Sequence, residues 1–468
     1  MKVQFLGANN QVTGSCFLLE TDDTRLLIDC GLYQERSYLE RNWARFPVPP
    51  ETVDDLLLTH AHLDHSGLIP KLVREGFVGR IFTTPATAEL LPIILLDSAR
   101  IQEEDAAYKK KRHEREGRRG PYPEIPLYTE AEVKEALKLL HPTPYLRTIP
   151  LEGRVRACFH DAGHILGSSM IEISVREKKR HFKLIISGDI GQLGKPLIQD
   201  PSVFAQADAV IMESTYGDRD HEDPADAETM LASIIKETIE DGGNVVVPVF
   251  AVERAQELLF HLSRLVLGKR LPRLPVFLDS PMAIDVTEVF LHHRECLDKE
   301  TLDLLRSGQS PFRFDGLRLT RTQAESRSIN SYPEPCLIMA GSGMCTGGRI
   351  KHHLVHNISR PESTVLFVGY QAEGTLGRQI LEGQPRVRIF GEMHEVRARI
   401  REIQAFSAHA GRTGLLAWLC RFREPYPQVF LVHGEKAVCQ SFAALLKSRD
   451  RWDVVVPDYQ DVWEWPAS

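Results

Sequence analysis

One stretch constrains the fold more than any other: Leu56-Leu57-Leu58-Thr59 runs straight into His60-Ala61-His62-Leu63-Asp64-His65-Ser66-Gly67. The apolar run reads as a buried strand, and the polar run as the turn leaving it before a helix begins near Leu68. Side chains alternate along a strand, so His60 and His62 leave its end on one side and address one metal ion. The next turn swings Asp64 and His65 toward a second ion. Imidazole and carboxylate together suit zinc, and a mixed set open to water belongs to a catalytic site more than to a closed structural one. A lone histidine here would be an ordinary core or surface group, but three histidines and an aspartate in six residues form a metal cluster.

A chain of 468 residues exceeds what one core fills, so two domains are expected. Its net charge of -7 excludes a whole-chain attraction to nucleic acid, and any such contact must be local. Eight cysteines without a C-x-x-C pair argue against a disulfide framework or a zinc knuckle and suit a reducing cytoplasm. Met1-Lys2-Val3-Gln4-Phe5-Leu6-Gly7 alternates at once, with no pattern of a signal peptide, and no apolar run of about 18 residues occurs. A cytoplasmic protein with no membrane partner is expected.

Strands are expected over residues 3–6, 15–20, 25–29 and 55–59, followed by a helix over 86–112. That helix ends in Lys109-Lys110-Lys111-Arg112, and the basic run continues to Arg118-Arg119. Two readings stand: a solvated helix end complementing the dipole, or a lip contacting phosphates. Thr129-Glu130-Ala131-Glu132 caps a helix over 129–140. Strands follow around 157, 170–175, 182–186 and 209–212. Between about 225 and 400 the texture changes to helices (229–240, 254–265) alternating with apolar strands (245–249, 276–278, 336–339, 365–368), as in an α/β domain with a largely parallel sheet. A strand-like stretch over 396–403, a helix over 412–421, a strand over 428–432 and a helix over 437–446 close the chain.

The segment Thr59 to Gly67 resembles the signature of the metallo-β-lactamase superfamily, which implies an α/β fold: an αββα sandwich of two sheets between helices. The superfamily's other ligands have counterparts in Ala162-Gly163-His164 and Ser187-Gly188-Asp189. By that resemblance His164 completes the first zinc site with His60 and His62, and Asp189 bridges both ions. Asp29, ending the strand Leu26-Leu27-Ile28, looks like the buried acid that orients the cluster; alone, it reads equally as a turn acid. His160 is expected to be a hydrogen-bonded histidine and no ligand.

Three further stretches resemble motifs of the nucleic-acid-processing β-CASP branch: Met212-Glu213-Ser214-Thr215-Tyr216-Gly217, Phe406-Ser407-Ala408-His409-Ala410-Gly411 and Leu431-Val432-His433-Gly434-Glu435. Resemblance and texture together place the metallo-β-lactamase domain at 1–215 and 404–468, with the β-CASP insert at 216–403. Ala340-Gly341-Ser342-Gly343-Met344-Cys345-Thr346-Gly347-Gly348-Arg349 and Gly374-Thr375-Leu376-Gly377-Arg378 also look like this insert. The first is Gly-rich, and reads either as amides that touch a nucleic-acid backbone or as a pair of tight turns. Ser214, Thr215, Arg349 and Arg378 are the candidate RNA contacts.

The resemblance implies a zinc-dependent ribonuclease with two ions per chain. RNA-directed members typically carry histidine in the last motif; here it is His433, the remaining ligand of the second zinc with Asp64, His65 and Asp189. A hydroxide held by the two metals would attack phosphorus, oriented or deprotonated by Asp64, and leave 5′-phosphate and 3′-hydroxyl ends. His409 would stabilise the transition state and protonate the leaving oxygen, with Glu213 fixing its tautomer. A cleft between domains would admit single-stranded RNA. A DNA nuclease is disfavoured by His433, a thioester or lactam hydrolase by the long insert, and a non-catalytic RNA-binding scaffold by the filled ligand positions. Cleavage mode, endonucleolytic or 5′-3′ exonucleolytic, and pairing into a homodimer are left open.

Overall fold

Period-two alternation decides where the first core lies. Leu184 and Ile186 point into one apolar cluster with Ile211, Phe430 and Val432, while Ile185, Val210, Met212, Val429 and Leu431 point into another. A computed structural model describes residues 1–117, 120, 122–177, 180–221, 224–369, 371, 372, 374–449 and 451–465, so Arg118 and Arg119 of the basic run lie outside the described residues. The first cluster is shared with Val3, Phe5, Phe17, Leu26 and Ile28 of a facing sheet, and the second with Leu415, Trp418, Leu419, Phe442 and Leu446 of two helices. Each fully buried Leu or Phe contributes about 1.5–3 kcal/mol.

The two facing sheets have seven strands each. One runs Val462–Glu464, Lys2–Gly7, Cys16–Glu20, Arg25–Ile28, Asp55–Leu57, Arg80–Thr83, Leu140–Pro142. The other runs Val454–Val455, Gln428–Val432, Ala209–Glu213, Arg180–Ile186, Ser169–Glu177, Val155–Asp161, Ile149–Pro150. Helices Ile69–Arg74, Pro85–Glu116 and Glu130–Leu137 pack together, Pro85–Glu116 also touching strand Leu140–Pro142, while Arg412–Leu419 and Lys436–Lys447 cover the second sheet. The result is the αββα sandwich. The expected cap at Thr129 is a complete capping box with Glu132. Arg25–Ile28 is parallel to Asp55–Leu57, and Arg180–Ile186, Ala209–Glu213 and Gln428–Val432 are mutually parallel. Their carboxyl ends carry Asp29, His60, Asp189, Glu213 and His433.

This sandwich belongs to a compact unit of Met1–Leu193, Asp200–Asp220 and His409–Ser468; a second unit holds Gly194–Gln199 and His221–Ala408. The second unit has a wholly parallel six-stranded sheet: Leu317–Leu319, Val276–Asp279, Leu337–Ala340, Val245–Pro248, Thr364–Phe367, Arg399–Glu402. Its four inner strands are near-continuous apolar runs because helices such as Pro224–Glu240 and Arg254–Leu267 alternate with them. The stretch expected over 396–403 forms the edge strand Arg399–Glu402, and a separate antiparallel ribbon pairs Arg386–Ile389 with Glu392–Glu395. Among the described residues no helix is long and apolar enough to cross a membrane.

Candidate metal centre

The chain leaving strand Asp55–Leu57 does not wait until Leu68 to become helical, as expected: Leu63–Ser66 forms one helical turn before Ile69–Arg74. Four residues are too few for a periodic apolar signal, so the turn is invisible to pattern reading. It carries Asp64 and His65 away from the side faced by His60 and His62. Gly31 permits this, since a Cβ there would lie 1.7 Å from the Asp64 carbonyl oxygen. Gly191 likewise lets the loop after Asp189 approach that of His164, where a Cβ would lie 1.6 Å from the Gly163 oxygen.

Two sets of donors result. His60, His62, His164 and Asp189 converge in one, and Asp64, His65 and His433 in the other. In the first, His62 Nδ1 lies 3.2 Å from His60 Nε2 and 3.3 Å from His164 Nε2, and Asp189 Oδ2 lies 3.4 Å from each of those Nε2 atoms. In the second, His65 Nε2 is 3.1 Å from His433 Nε2, which is 3.5 Å from Asp64 Oδ2. Asp189 Oδ1 faces this set, 3.3 Å from His65 Nε2 and 3.5 Å from His433 Nε2.

These separations test the fit to zinc. Ligands about 2.0–2.1 Å from a tetrahedral ion stand roughly 3.3–3.4 Å apart. The buried Asp189 Oδ1 accepts no hydrogen bond among the described residues, which leaves a lone pair directed into the second set. Donor chemistry and spacing both fit.

The Nδ1 atoms of His60, His65 and His433 are committed to other partners, which fixes their tautomers. His65 Nδ1 donates to Asp29 Oδ2 at 2.7 Å, and Asp29 Oδ1 accepts from the Thr59 amide at 2.8 Å. The Thr59 hydroxyl donates to Asp29 and accepts from His60 Nδ1 at 3.1 Å. His433 Nδ1 donates to Thr215 Oγ1 at 3.0 Å, and that hydroxyl donates to the His433 carbonyl. Asp29 and His433 hold left-handed backbones, φ 57° and 50°, conformations that cluster at functional sites.

Electrostatics divide the ligands. Burial, then the charge of His65, lowers the His60 imidazole well below its ordinary value, and burial brings His62 to about 4, so both stay neutral as metal ligands must. Burial opposes charge on His65 and His433 as well, but Asp189, with Asp29 at His65 and Asp64 at His433, outweighs it and raises both. A bound cation would displace those protons. Burial would raise Asp64, yet its bond from His433 and the nearby imidazoles lower it to about 2.

Beside these sets stands His409, its backbone bridged to Gly191. Its Nδ1 lies 3.2 Å from both oxygens of the fully buried Glu213, whose Oε1 also accepts from the Ile190 amide at 2.5 Å. Burial disfavours the imidazolium, but the charges of Glu213 and Asp189 raise His409 to about 9.

Of the candidate RNA contacts, Ser214 must be corrected: it is fully buried, its hydroxyl donating to the Val432 carbonyl. Thr215 serves His433 instead. Arg349, in the second unit, donates to Asp279 and to the Thr320 and Arg321 carbonyls, while Arg378 pairs with Glu382 on an exposed helix face. His160 lies in neither donor set and faces Glu172 at 3.7 Å. Thr59 was missed; the only signal for it was its place before the first ligand.

Imidazoles and carboxylates converging at the strand ends of an αββα sandwich define a metal-dependent hydrolase. Comparison with known proteins agrees: the metallo-beta-lactamase superfamily matches residues 9–166, the Beta-Casp domain 255–380, and the Zn-dependent metallo-hydrolase RNA specificity domain 393–457. Ribonuclease TTHA0252 of Thermus thermophilus is 39% identical over 449 residues, 96% of this chain and 96% of that protein. Transcription termination factor FttA of Methanosarcina mazei is 32% identical over 459 residues, 95% of this chain and 68% of that one. A solved structure of a protein of unknown function from Enterococcus faecalis matches 99% of each chain with a TM-score of 0.55 at 10% identity, which shows the fold alone. The chain belongs to the metallo-β-lactamase superfamily, in its β-CASP branch.

Proposed function

We propose that this protein is a zinc-dependent ribonuclease that hydrolyses single-stranded RNA, leaving 5′-phosphate and 3′-hydroxyl ends. The observation that carries the reading is Asp189, which turns one oxygen to each donor set with the His409–Glu213 pair beside it. His60, His62, His164 and Asp189 would hold one zinc ion, and Asp64, His65, His433 and Asp189 a second. Zinc bound there supplies a lowered pKa for water and neutralises charge on phosphate. Asp64 stays ionised and orients the attacking water. Held through Nδ1 by Glu213, His409 would stabilise the phosphorane-like charge and pass a proton to the leaving 3′ oxygen. Glu213 acts through His409, fixing its tautomer and holding it protonated. The ribonuclease relative and the RNA specificity domain match support RNA as the substrate class.

The test is zinc content together with cleavage of an end-labelled single-stranded RNA and the matching DNA, by wild type and His409→Ala. About two zinc ions per chain are expected, with RNA-selective cleavage that falls about 10²–10⁴-fold in the variant while metal stays bound. Metal without cleavage of either polymer, or equal loss of metal and activity in His409→Ala, overturns the assignment.

A further inference from the structure

The ribbon Arg386–Ile389 and Glu392–Glu395 is joined by a two-residue loop, since Ile389 pairs with Glu392. Phe390 and Gly391 both have positive φ, 51° and 90°. Hairpin turns of this kind favour Asn or Asp before Gly, because a bulky side chain resists the left-handed backbone. Phe390 is moreover 55% exposed, so burial does not offset the strain. Strain kept at a ring more than half exposed points to a use for it.

The ring has neighbours on helix Ile350–Asn357. The His352 ring centroid lies 4.6 Å away at an interplanar angle of 35°, and Lys351 Nζ stands 4.8 Å from the Phe390 centroid. Lys351 and His352 occupy the first turn of helix Ile350–Asn357, where the dipole favours acids over cations. Arg388, on the ribbon, donates to the Gly391 carbonyl at 2.8 Å. Among the described residues neither Lys351 nor Arg388 has a carboxylate at ion-pair distance. Burial and the positive charges of His353, Arg327, His356 and Lys351 depress His352, which marks the local field as positive. An exposed ring beside cations that have no carboxylate partner among the described residues is complementary to something flat and anionic, which describes a nucleotide in a single strand.

We propose that this tip is a stacking platform for an unpaired base of RNA, with Phe390 as the stacking ring and Lys351 and Arg388 as partners for the adjoining phosphates. The proposal rests on RNA being the substrate class.

Binding of a fluorescein-labelled 20-nucleotide oligoadenylate is measured by anisotropy on the zinc-loaded full chain, in a His409→Ala background to prevent cutting. Phe390→Ala is expected to weaken binding roughly five- to hundredfold, and Phe390→Trp to preserve it. Phe390→Asn separates this role from a structural one: asparagine suits the turn, so the melting temperature rises while RNA affinity falls as in Phe390→Ala. Unchanged affinity in Phe390→Ala, or joint loss of stability and affinity in Phe390→Asn, overturns the platform and leaves the ribonuclease reading intact. Unchanged affinity with an altered mass by light scattering assigns the tip to contact between copies of the chain. If the parent protein binds no RNA, the ribonuclease reading fails, and the platform with it.

Discussion

Each unit buries a cluster of charged side chains, and the two clusters are finished differently. In the second unit Asp279 accepts from Ser326 Oγ and Arg349 Nη1 at 2.6 Å and from His353 Nε2 at 2.7 Å, while His353 Nδ1 meets Asn330 Oδ1 at 3.0 Å. Protein donors surround the carboxylate, and burial, which would raise its pKa, is outweighed by these bonds, which lower it. In the first unit imidazole nitrogens face one another, and an Asp189 oxygen has no hydrogen-bond donor among the described residues. A buried charge completed by side chains is a strut, whereas one that leaves convergent lone pairs is a receptor for a cation.

Breaking the two clusters should give opposite results. On the proposed function the largest effect is expected for Asp189→Ala, which removes the carboxylate facing both donor sets: zinc content by elemental analysis falls sharply, cleavage drops to background, and the circular dichroism spectrum is retained. Asp279→Ala should do the reverse, destabilising the chain by about 3–5 kcal/mol in urea unfolding while zinc stays bound, because it strands buried partners. The Asp279 carboxyl is lowered in the folded state, so its contribution is present above the ordinary carboxylate pKa and is lost as pH falls through the folded value, below about pH 4. A stable Asp279→Ala, or an unfolded Asp189→Ala, would erase the distinction.

Smaller changes sharpen it. Thr59→Val removes the hydroxyl that joins Asp29 to His60 and should weaken zinc about 10–100-fold against a competing chelator, with little change in fold. Glu213→Gln should keep zinc and move the alkaline limb of the pH–rate profile to lower pH by about one unit or more. The sign follows from the proposed role of His409 as an acid: it would work while protonated, and loss of the Glu213 charge lets its proton leave at lower pH. An unmoved limb would assign that limb to another group.

Legibility followed the same divide. Donors spaced within six residues announce the receptor, because their chemistry is local and of few types, and the αββα layering was expected through the family resemblance those residues carry. Thr59 was not legible, since its partner Asp29 arrives from 30 residues earlier through a register no periodicity encodes. The partner of Arg349 was illegible for a related reason: a cation beside a glycine-rich loop looks the same in sequence whether its anion is a phosphate or Asp279. Ser214 lies within the acidic motif, yet it follows a strand buried on both faces and its hydroxyl is spent on the Val432 carbonyl.

The strand Gln428–Val432 lies between Ala209–Glu213 and Val454–Val455, and delivers His433 to a centre whose other ligands precede residue 190. Vectorial synthesis therefore separates two events. The first quartet of ligands exists once Asp189 has been made, while the second set waits for the whole inserted unit, a delay of tens of seconds at about 5–20 residues per second. On the proposed function, a nascent chain carries half a catalyst past its own message and becomes able to cut RNA only once His433 has been made.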